Sequence, residues 1–365
     1  MNDDTVTTVT GRLWRGGQPR DEDFTFDAIS DCLASEDQLV WADIYDPDHD
    51  TLAALAAELH LDIWAVEDAV APMERTKATV YRTHTFFTVY AVDILGAGAD
   101  DDLLASTLVK HRISGFVLPR GLITVRLPSD DRDGRGVHFD IGSVSRRFDE
   151  LGGQQYGVGA LVHALLDVVV DGHFDAVQTL DDAIEDLEDQ LFEDNPASGR
   201  SARPDGPRHS LQRSTYRLRK ELVELRRVVL PMREVVGAIQ HRRLDATTST
   251  SPSLRPPPAP ELDPLYADLY DHVLRASEWT ESLRDMVTTV FETNLSLQDA
   301  RLNTVMKKLT SWAAIIAVPT AITGFYGQNV LYPGIETAAG FLTSSVLIVV
   351  LVAVLYVMFR RRDWL

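Results

Sequence analysis

A regular stripe of small and hydroxyl-bearing residues marks the apolar segment that begins at Leu309. Steps of alternately three and four residues stay on one face of a helix. Starting from Asn303, such steps reach Met306, Thr310, Ala313, Ala317, Thr320, Gly324 and Gly327. The residues off this stripe are bulkier: Leu309, Trp312, Ile315, Ile316, Val318 and Ile322. A stripe of this kind predicts either close packing between membrane helices or the lining of a path through a helix bundle.

Oxygen-rich groups lie at both ends of the stripe. Continuing the steps backwards gives polar and acidic positions, Asp299, Ser296, Glu292, Thr289 and Asp285, which raise the local concentration of cations. The other end reads Tyr326, Gly327, Gln328, Asn329. Mg²⁺ prefers oxygen ligands and gives up its water reluctantly, so a ring of asparagine carbonyls suits its hydration shell. A glycine helix end with an asparagine cap is the alternative interpretation.

The stripe and its oxygen-bearing ends must be held in place by two apolar segments, residues 309–325 and 338–359. Each is long enough to cross a bilayer. Lys307 and Lys308 precede the first and three arginines, 360–362, follow the second, so the positive-inside rule places both chain termini in the cytoplasm. The acidic start of the chain carries no signal-peptide pattern. We therefore expect a multi-pass protein of the inner or plasma membrane.

The preceding 300 residues have the mixed pattern of a folded cytoplasmic domain. Strands are predicted at residues 39–45, 85–93, 113–118 and 122–126, with a helix at 51–59 capped by Asp50. Long helices are predicted at residues 156–192, 210–243 and 262–325, the last running into the membrane. The predicted organisation is an α+β domain (1–150), long cytoplasmic helices (151–305), a first span (306–326), an extracellular loop (327–337), a second span (338–359) and a basic tail (360–365).

Composition limits the possible functions. The formal net charge of −20 argues against a nucleic-acid partner, and the single cysteine, Cys32, allows no intrachain disulfide. Phosphate-binding loops, His/Cys metal clusters and nucleophile motifs are lacking, so an enzyme is not expected. Because there is no ATPase signature, transport must run down the electrochemical gradient.

Several motifs resemble the CorA family of magnesium and cobalt transporters. They are the Met306–Thr310 segment leading through Pro319 to Asn329, the basic end at residues 360–365, and the cytoplasmic segments at 64–69, 74–77, 222–234 and 268–272. This resemblance covers nearly the whole chain. It implies a funnel-shaped homopentamer that conducts Mg²⁺, with Co²⁺ and Ni²⁺ as further candidate ions, through a pore made of five first spans.

The same resemblance implies roles for individual residues. Asn329 heads a selectivity filter that also contains Tyr326, Gly327 and Gln328. The pore is lined by Asn303, Met306, Leu309, Thr310, Ala313, Ala317, Thr320 and Gly324, with Leu309 or Met306 as the hydrophobic constriction. Asp268, with Asp271 beside it, holds a regulatory divalent ion between cytoplasmic domains.

Two departures from the family pattern keep alternatives open. The middle filter residue is Gln328 where the family has methionine, so zinc or another divalent ion is the alternative cargo. The strand expected to supply the acidic partner of Asp268 reads Tyr81-Arg82-Thr83-His84, which is basic. A membrane-anchored oligomeric scaffold or sensor is the alternative outside the transporters.

Overall fold

The computed structural model describes residues 8–20, 26–35, 37–95, 107–128, 139–193, 207–248, 260–328 and 337–365. It separates into two compact units, Met1–Thr288 and Thr289–Leu365. The strands are β1 (Thr8–Arg15), β2 (Gln18–Arg20), β3 (Gln38–Tyr45), β4 (Lys77–Val80), β5 (Thr85–Leu95), β6 (Thr107–Leu118) and β7 (Gly121–Arg126). The helices are α1 (Ile29–Ala34), α2 (His49–Leu59), α3 (Ile63–Val70), α4 (Ile141–Glu150), α5 (Val158–Glu193), α6 (Pro207–Val229), α7 (Met232–Thr248), α8 (Leu262–Tyr326) and α9 (Ala338–Arg361).

The first unit is built on a seven-stranded mixed sheet in the order β2-β1-β3-β7-β6-β5-β4. Only β3 and β7 pair in parallel, and the other neighbours are antiparallel. One face of the sheet packs on residues of α1, α2 and α3. The other face packs on α4, α5, α7 and the first turns of α8, with Tyr266 fully buried among them. The expected mixed α/β domain with long helices is therefore confirmed.

A buried charge pair holds the two parallel strands together at their carboxyl ends. Asp43 of β3 is 2% exposed and accepts two hydrogen bonds from Arg126 of β7, with Oδ2 2.8 Å from Nη2. Thr124 donates to Asp43 at 2.6 Å and accepts from the Trp41 indole at 3.1 Å. Each buried polar group of this cluster thus has a partner, as burial without water requires.

Three local predictions are wrong, each for a backbone reason. Asp48, not Asp50, caps α2, because its extended backbone lets Oδ1 accept from the Thr51 amide at 2.7 Å. The helix expected over 210–243 is broken into α6 and α7 at Pro231, which has no amide hydrogen for a helix interior. Residues 81–84 are not a strand but the turn between β4 and β5, closed by the Tyr81 amide on the His84 carbonyl at 2.9 Å.

The long third helix is continuous, as expected. α8 runs 65 residues without interruption, although Pro319 lies inside it. The strands at 39–45, 85–93, 113–118 and 122–126 are also confirmed, each extended by one to six residues at one or both ends. Among the residues that the structure describes, two helices, α8 and α9, are long and apolar enough to cross a membrane.

Candidate ion-conducting site

One face of α8 is covered within the single chain. Ser311 and Ile315 are buried, and Ala314, Val318 and Ile322 are half-buried. α9 has a covered face with the same spacing, made by Gly340, Ser344, Ile348, Val352, Leu355 and Phe359. We infer that these two faces pack on each other along the helices, because α8 and α9 are the only helices in the described part of the second unit.

The predicted pore stripe lies on a different side of α8. At 100° per residue, the stripe is centred about 140° from the covered face. Its members are all exposed in the single chain: Asn303, Met306, Thr310, Ala313, Ala317, Thr320, Gly324 and Gly327. The packing partner of α8 in its own chain therefore leaves free the face that carries small and polar groups.

A second exposed stripe on α8 is apolar. Seven large side chains recur at heptad spacing: Phe291, Leu295, Leu302, Val305, Leu309, Trp312 and Ile316. Leu302, Leu309 and Ile316 are each 63 to 64% exposed. This stripe is centred roughly 70° from the pore stripe, and Leu309 lies near its centre. Regular apolar heptads are the pattern by which helices pack on other helices, so this stripe, which the described part of the chain leaves exposed, is a candidate contact with another helix.

Hydroxyl groups on α8 use their hydrogen on the helix itself. Thr320 donates to the Ile316 carbonyl at 3.0 Å, and Thr323 donates to the Pro319 carbonyl at 2.9 Å. The hydroxyl oxygen of Thr320 then has only acceptor capacity left for the face it lies on. Water bound to a cation points its hydrogens outward, so an acceptor suits a hydrated cation and not an anion.

Two glycines lie near the end of α8, and only Gly327 has a close backbone neighbour among the described residues. A Cβ built on Gly324 meets nothing within 4 Å. Gly327 lacks the positive φ of a glycine helix cap, although a Cβ there would lie 3.0 Å from the Thr323 carbonyl oxygen. The helix-cap alternative for this segment is thereby weakened. Gln328 is exposed, and Asn329 lies outside the described residues.

Asp268 and Asp271 are exposed on α8 within the first unit, with side chains 68% and 62% accessible. Asp268 lies 3.7 Å from the Nε2 atom of His272, and Asp271 lies 3.1 Å from Arg275. Within the described residues, no group of three or more His, Cys, Asp or Glu side chains could hold a metal ion. One copy of the described chain thus supplies an incomplete ligand set at this position.

A charged network that the sequence did not reveal lies beside Asp268. Arg147 of α4 binds Asp167 of α5 at 2.7 Å and also contacts Asp171. His163, one turn before Asp167, places its Nε2 atom 3.2 Å from the Leu265 carbonyl of α8. Burial raises the pKa of Asp167 and lowers the pKa of His163. The network connects α4 and α5 to the first turns of α8 inside the first unit.

The motif segment at residues 64–77 has a structural role. Lys77 of β4 binds Asp68 of α3 at 2.7 Å and Glu74 at 3.2 Å. Arg112 of β6 donates to the carbonyls of Ala69, at 2.6 Å, and Ala71 at the end of α3. A cation at a helix C-terminus is favourable because it offsets the helix dipole. These acidic and basic residues therefore attach α3 to the edge of the sheet.

Glu221 is a buried acid that sequence analysis also missed. It is 6% exposed on α6, its Oε2 atom has no hydrogen-bond partner among the described residues, and its carboxylate accepts from the Leu108 amide of β6. Burial raises the pKa of Glu221 to about 7. The available signal was its position, three residues after Leu218 and four before Leu225, which places an acid on the apolar face of the helix.

Together these features define a membrane protein with a folded α/β unit and two C-terminal spanning helices, the first of which keeps a small, polar face uncovered. The chain matches the family described as CorA-like Mg²⁺ transporter protein over residues 36–361 and belongs to that family. The resemblance seen in the motifs is thereby confirmed.

Individual relatives agree with this membership. The chain is 24% identical over 345 residues to the cobalt/magnesium transport protein CorA of Methanocaldococcus jannaschii, which covers 92% of this chain and 94% of that one. It is 30% identical over 206 residues to the cobalt/magnesium transport protein CorA of Thermotoga maritima, covering 56% and 52%. The complete structure of the M. jannaschii CorA magnesium transporter shares the fold, with a TM-score of 0.68 over 98% of this chain and 99% of that chain at 22% identity.

The Thr320 oxygen is open to a direct test. Thr320→Val keeps the side-chain shape but removes the acceptor, so we expect divalent flux into liposomes to fall roughly two- to tenfold, the effect of one weak hydrogen bond. Thr323→Val is the matched control, because Thr323 makes the same backbone bond but lies about 60° away, toward the apolar stripe. Equal loss in both variants would contradict the assignment of the face.

The Glu221 carboxyl predicts a specific pH dependence of stability. Its folded pKa is raised, so its contribution is fully present below about pH 4.5 and is lost as pH rises through about 7. Glu221→Gln should therefore raise the thermal unfolding midpoint of the full-length protein at pH 8, with little change at pH 5. The full free-energy cost of ionising the buried Glu221 carboxyl in the folded protein is on the order of 2–3 kcal/mol.

Glu224→Gln, one turn further along α6, should do the opposite. The Glu224 carboxylate binds Lys110 at 2.5 Å, and this hydrogen bond lowers its pKa. Its stabilising contribution is present above the unfolded pKa and is lost as pH falls, so this variant should lower the midpoint at pH 8. If both variants shift the thermal unfolding midpoint in the same direction at pH 8, then a general effect on the helix, and not burial of the Glu221 carboxyl, sets the pH dependence of stability.

Proposed function

We propose that this protein is a divalent cation channel that takes up Mg²⁺ down the electrochemical gradient. Family membership supports divalent cation transport, and one structural observation carries the assignment of the path. The face of α8 centred about 140° from its α9-covered side is made mainly of small groups and acceptor oxygens. In a bilayer, a polar face with no partner in its own chain is stable only against other protein or water.

The channel is formed by several copies of the chain, and the homopentamer implied by the family is the assembly that we propose. The exposed apolar heptads of α8 supply the contact between copies. With the apolar stripe packed on a neighbour and the covered face packed on α9, the small-residue stripe is the one side of α8 left to face a central axis. Met306 lies on that stripe and Leu309 adjoins it, so both can narrow the path.

Both termini lie in the cytoplasm under this proposal, because the basic residues flank the two spans on that side. An inside-negative potential then favours entry of a divalent ion by about 4.6 kcal/mol per 100 mV, twice the single-charge value. This driving force removes the need for ATP. The lipid bilayer and the transported cation are the expected partners, together with further copies of the chain.

Asn329, with Tyr326, Gly327 and Gln328 before it, forms the entrance filter in this proposal. Carboxamide oxygens accept hydrogen bonds from the hydration shell without stripping it, which suits Mg²⁺. Gln328 adds a second carboxamide to each subunit where the family motif has methionine. The order of preference among Mg²⁺, Co²⁺, Ni²⁺ and Zn²⁺ is therefore the property in which this chain should differ most from its relatives.

Cytoplasmic Mg²⁺ acts as the regulator that closes the channel. Asp268 and Asp271 are exposed and belong to no three-ligand group within one described chain, so an ion held there needs acids from another copy. Bringing like charges of two copies together is unfavourable unless a divalent ion neutralises them. Loss of that ion at low cytoplasmic Mg²⁺ then loosens the contact between copies.

The filter is tested by Asn329→Ala in the full-length protein reconstituted into liposomes. We expect divalent flux to be abolished while expression and oligomer size stay unchanged, because the substitution removes the acceptor groups at the entrance and no core residue. Divalent flux at the wild-type rate in this variant would contradict the assignment of Asn329 to the filter. Absence of flux in the wild-type protein with any of the four divalent ions would favour an anchored scaffold or sensor instead.

Regulation is tested by Asp268→Asn with Glu278→Gln as the matched control. Glu278 is an exposed acid of the same helix, so both variants remove one negative charge. We expect Asp268→Asn to keep conducting at millimolar Mg²⁺ on the cytoplasmic side, where the wild type and the control close. Closure of all three at the same Mg²⁺ concentration would refute a regulatory ion at Asp268.

A further inference from the structure

The side of α9 away from its covered face carries a shallow, open groove that ends in two arginines. The groove has a volume of about 530 Å³ and is lined by Ala353, Val354, Val357, Met358, Arg361 and Arg362. These residues recur at spacings of three and four, on the side of α9 away from its covered face. From Ala353 to Arg362 the groove is about 13 Å long at 1.5 Å per residue.

Charge and polarity are divided along this groove. Its first four lining residues have no polar side-chain atom except the weakly polar Met358 sulfur, and its last two are guanidinium groups. Within the described part of the chain, neither Arg361 nor Arg362 has a hydrogen bond or ion pair through its side chain. An arginine that lies next to hydrocarbon and lacks a carboxylate partner favours a phosphate, which it can bind through two parallel hydrogen bonds.

The end of the helix holds these arginines in place. The Trp364 amide donates to the Phe359 carbonyl at 3.0 Å, and the Trp364 indole stacks on the Phe359 ring with centroids 5.7 Å apart. The Arg362 amide also bonds the Phe359 carbonyl, at 3.2 Å. The backbone is therefore folded back just beyond the groove, and a tryptophan lies at the depth where membrane proteins meet lipid headgroups.

We propose that this groove binds an anionic glycerophospholipid, with one acyl chain along Ala353 to Met358 and the headgroup phosphate on Arg361 and Arg362. The inference rests on α9 spanning the membrane with its arginine end at the headgroup layer, as in the proposed function. An anionic lipid is the occupant that matches both halves of the groove. Free phosphate leaves the apolar half unused, and a zwitterionic lipid brings its own cationic group, which offsets its phosphate beside the two guanidinium charges.

The test uses the full-length protein in detergent and measures lipid binding by native mass spectrometry, which does not depend on ion flux. Phosphatidylglycerol should bind the wild type, and the variant Arg361→Gln/Arg362→Gln should bind it at least about tenfold more weakly, as expected for the loss of two charge-assisted hydrogen bonds. Arg360→Gln is the matched control, because Arg360 is basic and adjacent but does not line the groove. This control should keep wild-type affinity.

Additional variants and ligands in the same binding measurement distinguish the possible occupants of the groove. Ala353→Leu fills the apolar half without changing charge, and it should also weaken phosphatidylglycerol binding. Four results would overturn the proposal: equal losses in Arg360→Gln and the double variant, unchanged affinity in Ala353→Leu, equal binding of phosphatidylcholine, or inorganic phosphate displacing the lipid at equal concentration. If lipid binding follows the expected pattern but the protein shows no divalent flux, the lipid site is supported. In that case only the proposed channel function is contradicted.

Discussion

Packing of α9 on one side of α8 is the constraint on which the second unit depends. A helix in a bilayer satisfies its own backbone hydrogen bonds, so its side chains alone decide what each face can contact. Ser311, Ile315 and Ile322 lie on the covered side, where two helices approach along their length. Because the covered side sets the rotation of α8 about its own axis, it also sets the direction of every other α8 side chain. The small-residue stripe is centred about 140° away, and the apolar heptads occupy the remaining side of the helix.

The chemistry of the exposed stripe follows from how α8 uses its own polar groups. The Thr320 and Thr323 hydroxyls donate their hydrogens to helix carbonyls, so Thr320 offers only oxygen lone pairs on the exposed stripe. Ala313, Ala317 and Gly324 add no bulk. A path lined in this way accepts hydrogen bonds from water and donates few, which favours a cation that travels with its hydration shell.

The first unit contains buried polar groups of two kinds. Asp43 and Arg126 form a satisfied buried pair in the sheet. Glu221 and His163, on the helices, each keep a buried polar atom without a partner in the described part of the chain. Buried groups of this kind are costly when charged, so their protonation is coupled to how the helices pack. The network of Arg147, Asp167 and His163 reaches α8 itself, at Leu265.

The sequence predicted what depends on periodicity and missed what depends on tertiary partners. The stripe on α8, its continuity past Pro319 and the main strands were all readable from spacing, because helix and strand geometry repeat. The cap of α2 was misplaced by two residues, since Asp48 and Asp50 are equally good caps until the backbone is known. Pro231 was underestimated as a helix breaker. Glu221, Arg112 and Arg147 could not be recognised, because their importance comes from partners on distant segments such as Leu108, Ala69 and Asp167.

The central claim, that the small-residue face of α8 lines an aqueous path, can be measured directly by cysteine accessibility. Cys32 is the only cysteine, so Cys32→Ser gives a clean background for single cysteines at residues 311 to 324. A membrane-impermeant, thiol-reactive cation should modify positions 313, 317, 320 and 324 and block flux there, while 311, 315, 318 and 322 stay unreactive. Modification concentrated at 311, 315, 318 and 322, or spread evenly around the helix, would contradict the account.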